Sequence, residues 1–209
     1  MVPEGQSLWR VGSSSLPESD FTSRIWPRFL RGPDPRLLED LYVPALQRSV
    51  RYDRCCAYFS SSVLSTAARG FSGLIERFAT QDKSLPGPAV RLLVNEQLSR
   101  EDVEALSDAP DTLVLERVLM KRFASPESAL EKARLEMLAW MVSKELVEIR
   151  VGILRHGEGI LHAKFGLFYD ENGNALVFSG SGNESRSGLT ANYEHLEVSG
   201  SWDDQERYQ

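Results

Sequence analysis

Residues 161–194, LHAKFGLFYDENGNALVFSGSGNESRSGLTANYE, decide the reading of this chain. Ile160–Tyr169 reads as a strand. Asp170–Asn174 carries the Asn-Gly pair that favours a tight hairpin, and Ala175–Ser179 returns as a second strand. Residues two apart on a strand project to the same face, so His162 and Lys164 point together while Ala163 and Phe165 point the other way. An imidazole beside an ammonium makes sense where an anion sits between them. Ser179-Gly180-Ser181-Gly182-Asn183 then closes the strand. Its small residues let backbone N–H groups approach an anion, and Ser181 and Asn183 add side-chain donors. A cation, a nucleophile and a nest of donors together describe a phosphoryl site, where catalysis is mostly positioning and charge stabilisation. Taken singly, a histidine on a strand and a Gly-Ser-Gly turn are more often structural. Their joint occurrence in one hairpin carries the argument.

Outward from this hairpin, the pattern is that of an α/β domain. Arg36–Gln47 reads as a short helix with Pro35 suited to its first turn, Arg51–Ser60 as a buried strand, and residues 62–80 as a helix capped by serine. Ala89–Asn95 has the aliphatic run of an interior strand. A short helix is expected over Ser99–Ser107. A longer one, over Ser125–Ser143, opens on Ser-Pro-Glu and spaces Leu130, Ala133, Met137, Trp140 and Met141 helically. Leu146–Leu154 and Tyr193–Ser199 supply further strands. Strands that alternate with helices early and crowd together late argue for a layered α/β domain whose mixed sheet is mostly parallel. Residues 1–20 read as a flexible tail, 21–200 as the domain, and 201–209 as the start of a further helix or linker.

The 209 residues suit one domain, and 42% apolar with 26% charged residues exclude wholesale disorder, collagen and coiled coil. No stretch approaches the roughly 18 apolar residues of a membrane span. The start lacks a secretory h-region, and adjacent Cys55 and Cys56 make no disulfide framework, so a reducing cytoplasm is the expected setting. The cysteines read as small buried residues, and Trp26, Trp140 and Phe78 as core. The net charge of −6 excludes a basic wrapper of nucleic acid. Even so, seven arginines between Arg24 and Arg54 face only four acids, leaving a local phosphate-facing patch open beside the plainer reading of a solvated surface. Ser60–Ser62 cap the helix that follows them, and Lys121-Arg122 reads as a loop pair. No acidic cluster points to a divalent metal, and neither a GxGxxG fingerprint nor a P-loop points to a nucleotide cofactor.

The segment resembles the HKD motif of the phospholipase D superfamily, in which His-x-Lys is followed by Gly-Ser-x-Asn on the next strand. Here these are His162-Ala-Lys164 and Gly180-Ser181-Gly182-Asn183, and Glu194 matches a glutamate that steadies the histidine in small nucleases of that superfamily. The resemblance implies a phospholipase D-like fold and a cofactor-free phosphodiesterase. In it His162 forms a phosphohistidine, Lys164 and Asn183 hold the non-bridging oxygens, Ser181 bonds the phosphate, and Glu194 accepts the other imidazole N–H. Gly180 would line the substrate, and Arg186, which follows the turn, reads either as a contact to a flanking phosphate or as a solvated surface arginine. The usual aspartate falls four residues after the lysine and one further; Tyr169 stands there, so Asp170 is assigned to the turn and given no catalytic role. A second histidine is needed as acid, and the chain offers only His156, in a turn, and His195, pointing opposite Glu194. The resemblance therefore implies a homodimer with a composite site. It also implies a DNA substrate in preference to RNA, and association with a helicase of a bacterial defence system located C-terminal to this stretch. The alternatives are a phospholipase, against which the lack of a lipid-anchoring segment weighs, and a non-catalytic nucleic-acid-binding or dimerisation module.

Overall fold

The computed structural model describes residues 16–32, 36–60, 62–80, 87–95, 137–138, 140–152 and 160–203. The helix expected over Ser99–Ser107, most of the helix expected from Ser125, the turn holding His156, Lys121-Arg122 and residues 204–209 lie outside them. Among the described residues the centre is a seven-stranded sheet ordered β1-β7-β6-β5-β2-β3-β4. The strands are β1 (Phe29–Arg31), β2 (Arg51–Cys56), β3 (Val90–Val94), β4 (Val147–Val151), β5 (Phe165–Tyr169), β6 (Ala175–Gly180) and β7 (His195–Gly200). The helices are α1 (Val43–Arg48), α2 (Ser62–Thr66), α3 (Ala68–Thr80) and α4 (Arg186–Thr190). A π-helical stretch, Leu37–Tyr42, leads into α1.

The sheet is mixed, as expected, but "mostly parallel" needs correction. Only β2–β3 and β3–β4 pair in parallel, while the other four ladders are antiparallel. Parallel neighbours require a long crossover, which α2 and α3 supply between β2 and β3. The β5–β6 link is a five-residue turn, and such a link permits only an antiparallel partner. The 62–80 helix divides at Ala67 into α2 and α3.

Period-2 burial sets the faces. Tyr52, Arg54 and Cys56 point inward on β2, as do Val90, Leu92 and Val94 on β3. Tyr52, Cys56, Val90, Leu92 and Val94 join Phe168, Leu176, Phe178, Leu41, Leu46, Phe71 and Leu74 in one buried cluster. Tyr52 stacks on Phe168 at 4.5 Å between centroids, and Tyr42 lies 5.3 Å from Phe178. Trp26 is buried as expected, but Trp140 is 47% exposed and does not belong to the core. Of the tail expected over 1–20, residues 16–20 are described and are tied to the domain. Ser19 is buried and donates to Arg48 O, and Asp20 caps the 3-10 turn Phe21–Ser23.

Asp170 organises the hairpin turn. Its carboxylate, 1% exposed, accepts from the N–H groups of Phe21, Asn172 and Asn174 and from Asn174 Nδ2, each at 2.9 Å. Gly173, at φ 81°, takes the left-handed position that the turn requires. Asp170→Ala strands four donors, two of them from the turn's own backbone, and is expected to cost about 3 kcal/mol. The check is a shift of the urea midpoint. A variant as stable as wild type would show that the turn does not depend on this carboxylate.

Candidate active site

His162 and Lys164 sit where the β5 ladder runs out. The strand expected from Ile160 begins only at Phe165, because its partner β2 ends at Cys56 and pairs Cys55 with Phe165. On the other side the last bond is Gly180 N donating to Lys164 O, at 3.1 Å. The chain before Phe165 therefore passes beyond the core, and His162 is exposed. Lys164 Nζ donates to His162 O at 2.9 Å and stands 3.2 Å from His162 Nε2. An ammonium can only donate, so Nε2 carries the lone pair in this contact.

The Gly180–Asn183 corner follows on the neighbouring strand. A Cβ at Gly180 would stand 1.8 Å from His195 O, so only glycine lets β6 and β7 approach here. Tyr58 N donates to Asn183 Oδ1 at 3.1 Å. A backbone N–H can meet only the oxygen of that amide, which leaves both Nδ2 protons for another acceptor. No described residue accepts from the N–H groups of Gly182 or Asn183.

Glu194 and Ser181 are brought together, but Glu194 and His162 are not. Ser181 Oγ donates to Glu194 Oε2 at 2.5 Å and accepts from His195 N at 3.0 Å, while Asn192 Nδ2 donates to Glu194 Oε1 at 3.1 Å. The hydrogen bond expected from His162 to Glu194 is absent, and Ser181's proton points at Glu194 rather than at open space. Register explains the first point. Extending the β5–β6 and β6–β7 ladders sets His162 and Glu194 on opposite sides of Gly182, two strand widths or about 10 Å apart. Gly182 leaves that line open, since a Cβ there would stand 3.8 Å from Glu194 Cγ.

His195 faces elsewhere. It is exposed, pairs across the sheet with Arg31, and lies 3.8 Å from Glu197 on the same strand face, whereas its neighbour Glu194 is buried. Arg186 opens α4 with its side chain exposed, and its N–H donates to Ser62 Oγ. Ser60 Oγ in turn accepts from Ser62 N, the capping contact expected there. The cysteines are buried and free; burial pushes the Cys55 thiol up and the Cys56 thiol up to about 12. Neither is a thiolate nucleophile at neutral pH.

Two residues beneath the corner escaped the sequence reading. Arg54 and Glu184 form an ion pair at 2.8 Å with side chains 1% and 0% exposed. Glu184 Oε2 also accepts from Tyr42 Oη at 2.8 Å and Tyr52 Oη at 3.1 Å, and Arg54 Nη2 donates to Gly182 O. Burial holds both phenols well above their ordinary range, so they stay donors. Burial alone would lower the guanidinium, but the Glu184 carboxylate 2.8 Å away opposes this and holds Arg54 charged. The signal was available in part. An arginine at an inward position between Tyr52 and Cys56 demands a buried anion.

The fold and the site together define an α/β domain with a histidine–lysine pair and a Gly-Ser-x-Asn corner at adjacent strand ends. No family model matches the chain, and no curated protein matches it. Among solved structures it is similar to NucT from Helicobacter pylori, with 14% identity, a TM-score of 0.44 and 86% of each chain covered. It is also similar to yeast tyrosyl-DNA phosphodiesterase, with 10% identity and a TM-score of 0.34 over 74% of this chain; the chain spans only 28% of that enzyme's length.

Proposed function

We propose that this domain is a phosphodiesterase of the phospholipase D type, a nuclease that cleaves DNA in preference to RNA without a metal cofactor. The observation that carries the reading is the exposed His162 ring with Lys164 Nζ 3.2 Å from its Nε2, beside a corner whose Asn183 has its amide oriented by Tyr58. In the first step Lys164 turns from Nε2 to a non-bridging oxygen, the freed Nε2 lone pair attacks phosphorus, an N–P bond forms, and the bond to the leaving oxygen breaks as that oxygen takes a proton from an acid. Lys164, the Asn183 Nδ2 protons and the open N–H groups of Gly182 and Asn183 neutralise the charge that builds on the non-bridging oxygens. In the second step water attacks phosphorus, the N–P bond breaks, and the water's proton goes to the group that served as acid. A phosphomonoester and a free hydroxyl leave. Glu194 reaches the imidazole N–H only if Ser181 releases it, and Ser181 is then free to bond the phosphate. Arg186, exposed beyond the corner, would meet a flanking phosphate.

The acid is the second histidine. His195 faces the other side of the sheet, so a second copy of His162 across a two-fold axis is the reading we favour. Sedimentation equilibrium is expected to show a dimer at assay concentrations; a strict monomer with full activity would overturn the composite site. For the reaction itself the test is cleavage of DNA in excess EDTA by wild type and His162→Ala. Cleavage that needs added Mg²⁺ would point to other chemistry, and equal inactivity of both proteins to a binding module.

A further inference from the structure

The corner's donors are aimed by a charge pair that stability alone does not explain. Arg54 touches the residues on both sides of Asn183: its Nη2 donates to Gly182 O, and its Nε to Glu184 Oε2 at 2.8 Å. Glu184's backbone is held as firmly, its N–H donating to Tyr58 O at 3.1 Å and its carbonyl accepting from Ser60 N at 2.9 Å. Tyr58, tied down in this way, is the residue whose own N–H orients the Asn183 amide. One guanidinium on β2 thus fixes a closed circuit, Arg54–Glu184–Tyr58–Asn183–Gly182, with the Asn183 amide at its outer edge. The circuit is an expensive way to build a core. Both charges are buried, and among the described residues Arg54 Nη1 and Glu184 Oε1 have no hydrogen-bond partner. Buried pairs of this kind are often replaced by apolar residues with no loss of stability, and an incompletely satisfied one is poorer still. Departures from good packing practice are characteristic of functional sites.

We propose that Arg54 and Glu184 are positioning residues for phosphoryl transfer, holding Asn183 and the Gly182–Asn183 N–H groups in the geometry of the transition-state oxyanion. This rests on the phosphodiesterase reading above. Neither residue touches substrate; both act through the corner, and a donor displaced by about 1 Å is enough to cost as much as a hundredfold in rate. The effect therefore falls on turnover rather than on binding.

The test uses two folded variants and a readout that mere structural support would not move. Arg54→Lys keeps a charge opposite Glu184 but cannot fork to two acceptors; kcat is expected to fall at least tenfold with KM within twofold. The double variant Arg54→Met with Glu184→Met strands no charge and leaves only one phenol donor of the Tyr42–Tyr52 pair unmet; it is expected to melt within a few degrees of wild type and still lose kcat at least tenfold. Either variant, folded and with wild-type kcat, overturns the proposal, as does a double variant whose activity falls only in step with its melting temperature. Should neither fold, Tyr42→Phe, which removes one hydroxyl from Glu184 without opening a cavity, must lower kcat severalfold with KM unchanged, or the proposal fails. Titration of inorganic phosphate, followed by the Asn183 side-chain amide resonances, separates this from the reaction. If wild type cleaves nothing yet Arg54→Lys changes the Asn183 amide shifts of the phosphate complex while phosphate still binds within twofold, the positioning stands and the nuclease reading falls. If wild type cleaves and the variants match it, the positioning falls alone.

Discussion

His162→Ala is expected to remove DNA cleavage, by roughly a thousandfold or more, while leaving the melting temperature within a degree or two of wild type. The size follows from the loss of a covalent nucleophile, whose removal in other two-step hydrolases leaves only what binding and oxyanion stabilisation supply. The unchanged stability follows from position. His162 lies outside the β5 ladder, exposed, and among the described residues its only side-chain partner is Lys164 Nζ. The substitution frees the ammonium into water, which costs little. Wild-type protein quenched in alkali during turnover is expected to show a ³¹P resonance of an acid-labile N–P bond, absent from His162→Ala. Activity surviving in His162→Ala would remove the covalent step, whatever else remained of the site.

Glu184→Ala is expected to have the opposite balance, a loss of about 3–5 kcal/mol, because it leaves the Arg54 guanidinium buried without its anion. For a chain of this size that lowers the melting temperature by on the order of 10 °C. Tyr42 and Tyr52 lose their shared acceptor in the same step, and both are fully buried, so their hydroxyls gain no water in exchange. Urea unfolding monitored by circular dichroism checks this, and a loss under 1 kcal/mol would mean that water reaches the pair. Removing one partner and removing both thus have different consequences. The single change strands a charge, whereas the paired change to methionine strands none, and this lets stability and turnover be measured apart.

How much of this was legible depends on the range of each interaction. The Asn-Gly hairpin, with Asp170 as its brace, is local chemistry: a carboxylate reaching N–H groups two and four residues away. The β2, β3 and β4 strands were legible from apolar runs, and the buried cysteines from their setting among them. Trp140 was misjudged because helical spacing identifies a stripe but not what covers it. The strand start at Ile160 was misplaced because apolar alternation continues past Phe165, whereas pairing stops where the neighbouring strand stops. The Arg54–Glu184 pair, 130 residues apart in sequence, carries no local pattern. Its only trace is an arginine in an inward register.

By itself, the order of residues determined the chemical inventory: a histidine and a lysine two apart, a serine–asparagine corner one hairpin later, and a glutamate beyond it. It also determined that these groups cluster at one end of neighbouring strands, because a five-residue turn can only return the chain antiparallel. Tertiary structure decided which of them meet. Where each ladder ends let Lys164 reach back to His162, and the width of the strand that carries Gly182 kept Glu194 with Ser181 and away from His162. Those outcomes depend on distances across the sheet, which are set by long-range pairing and burial and leave no periodic mark along the chain.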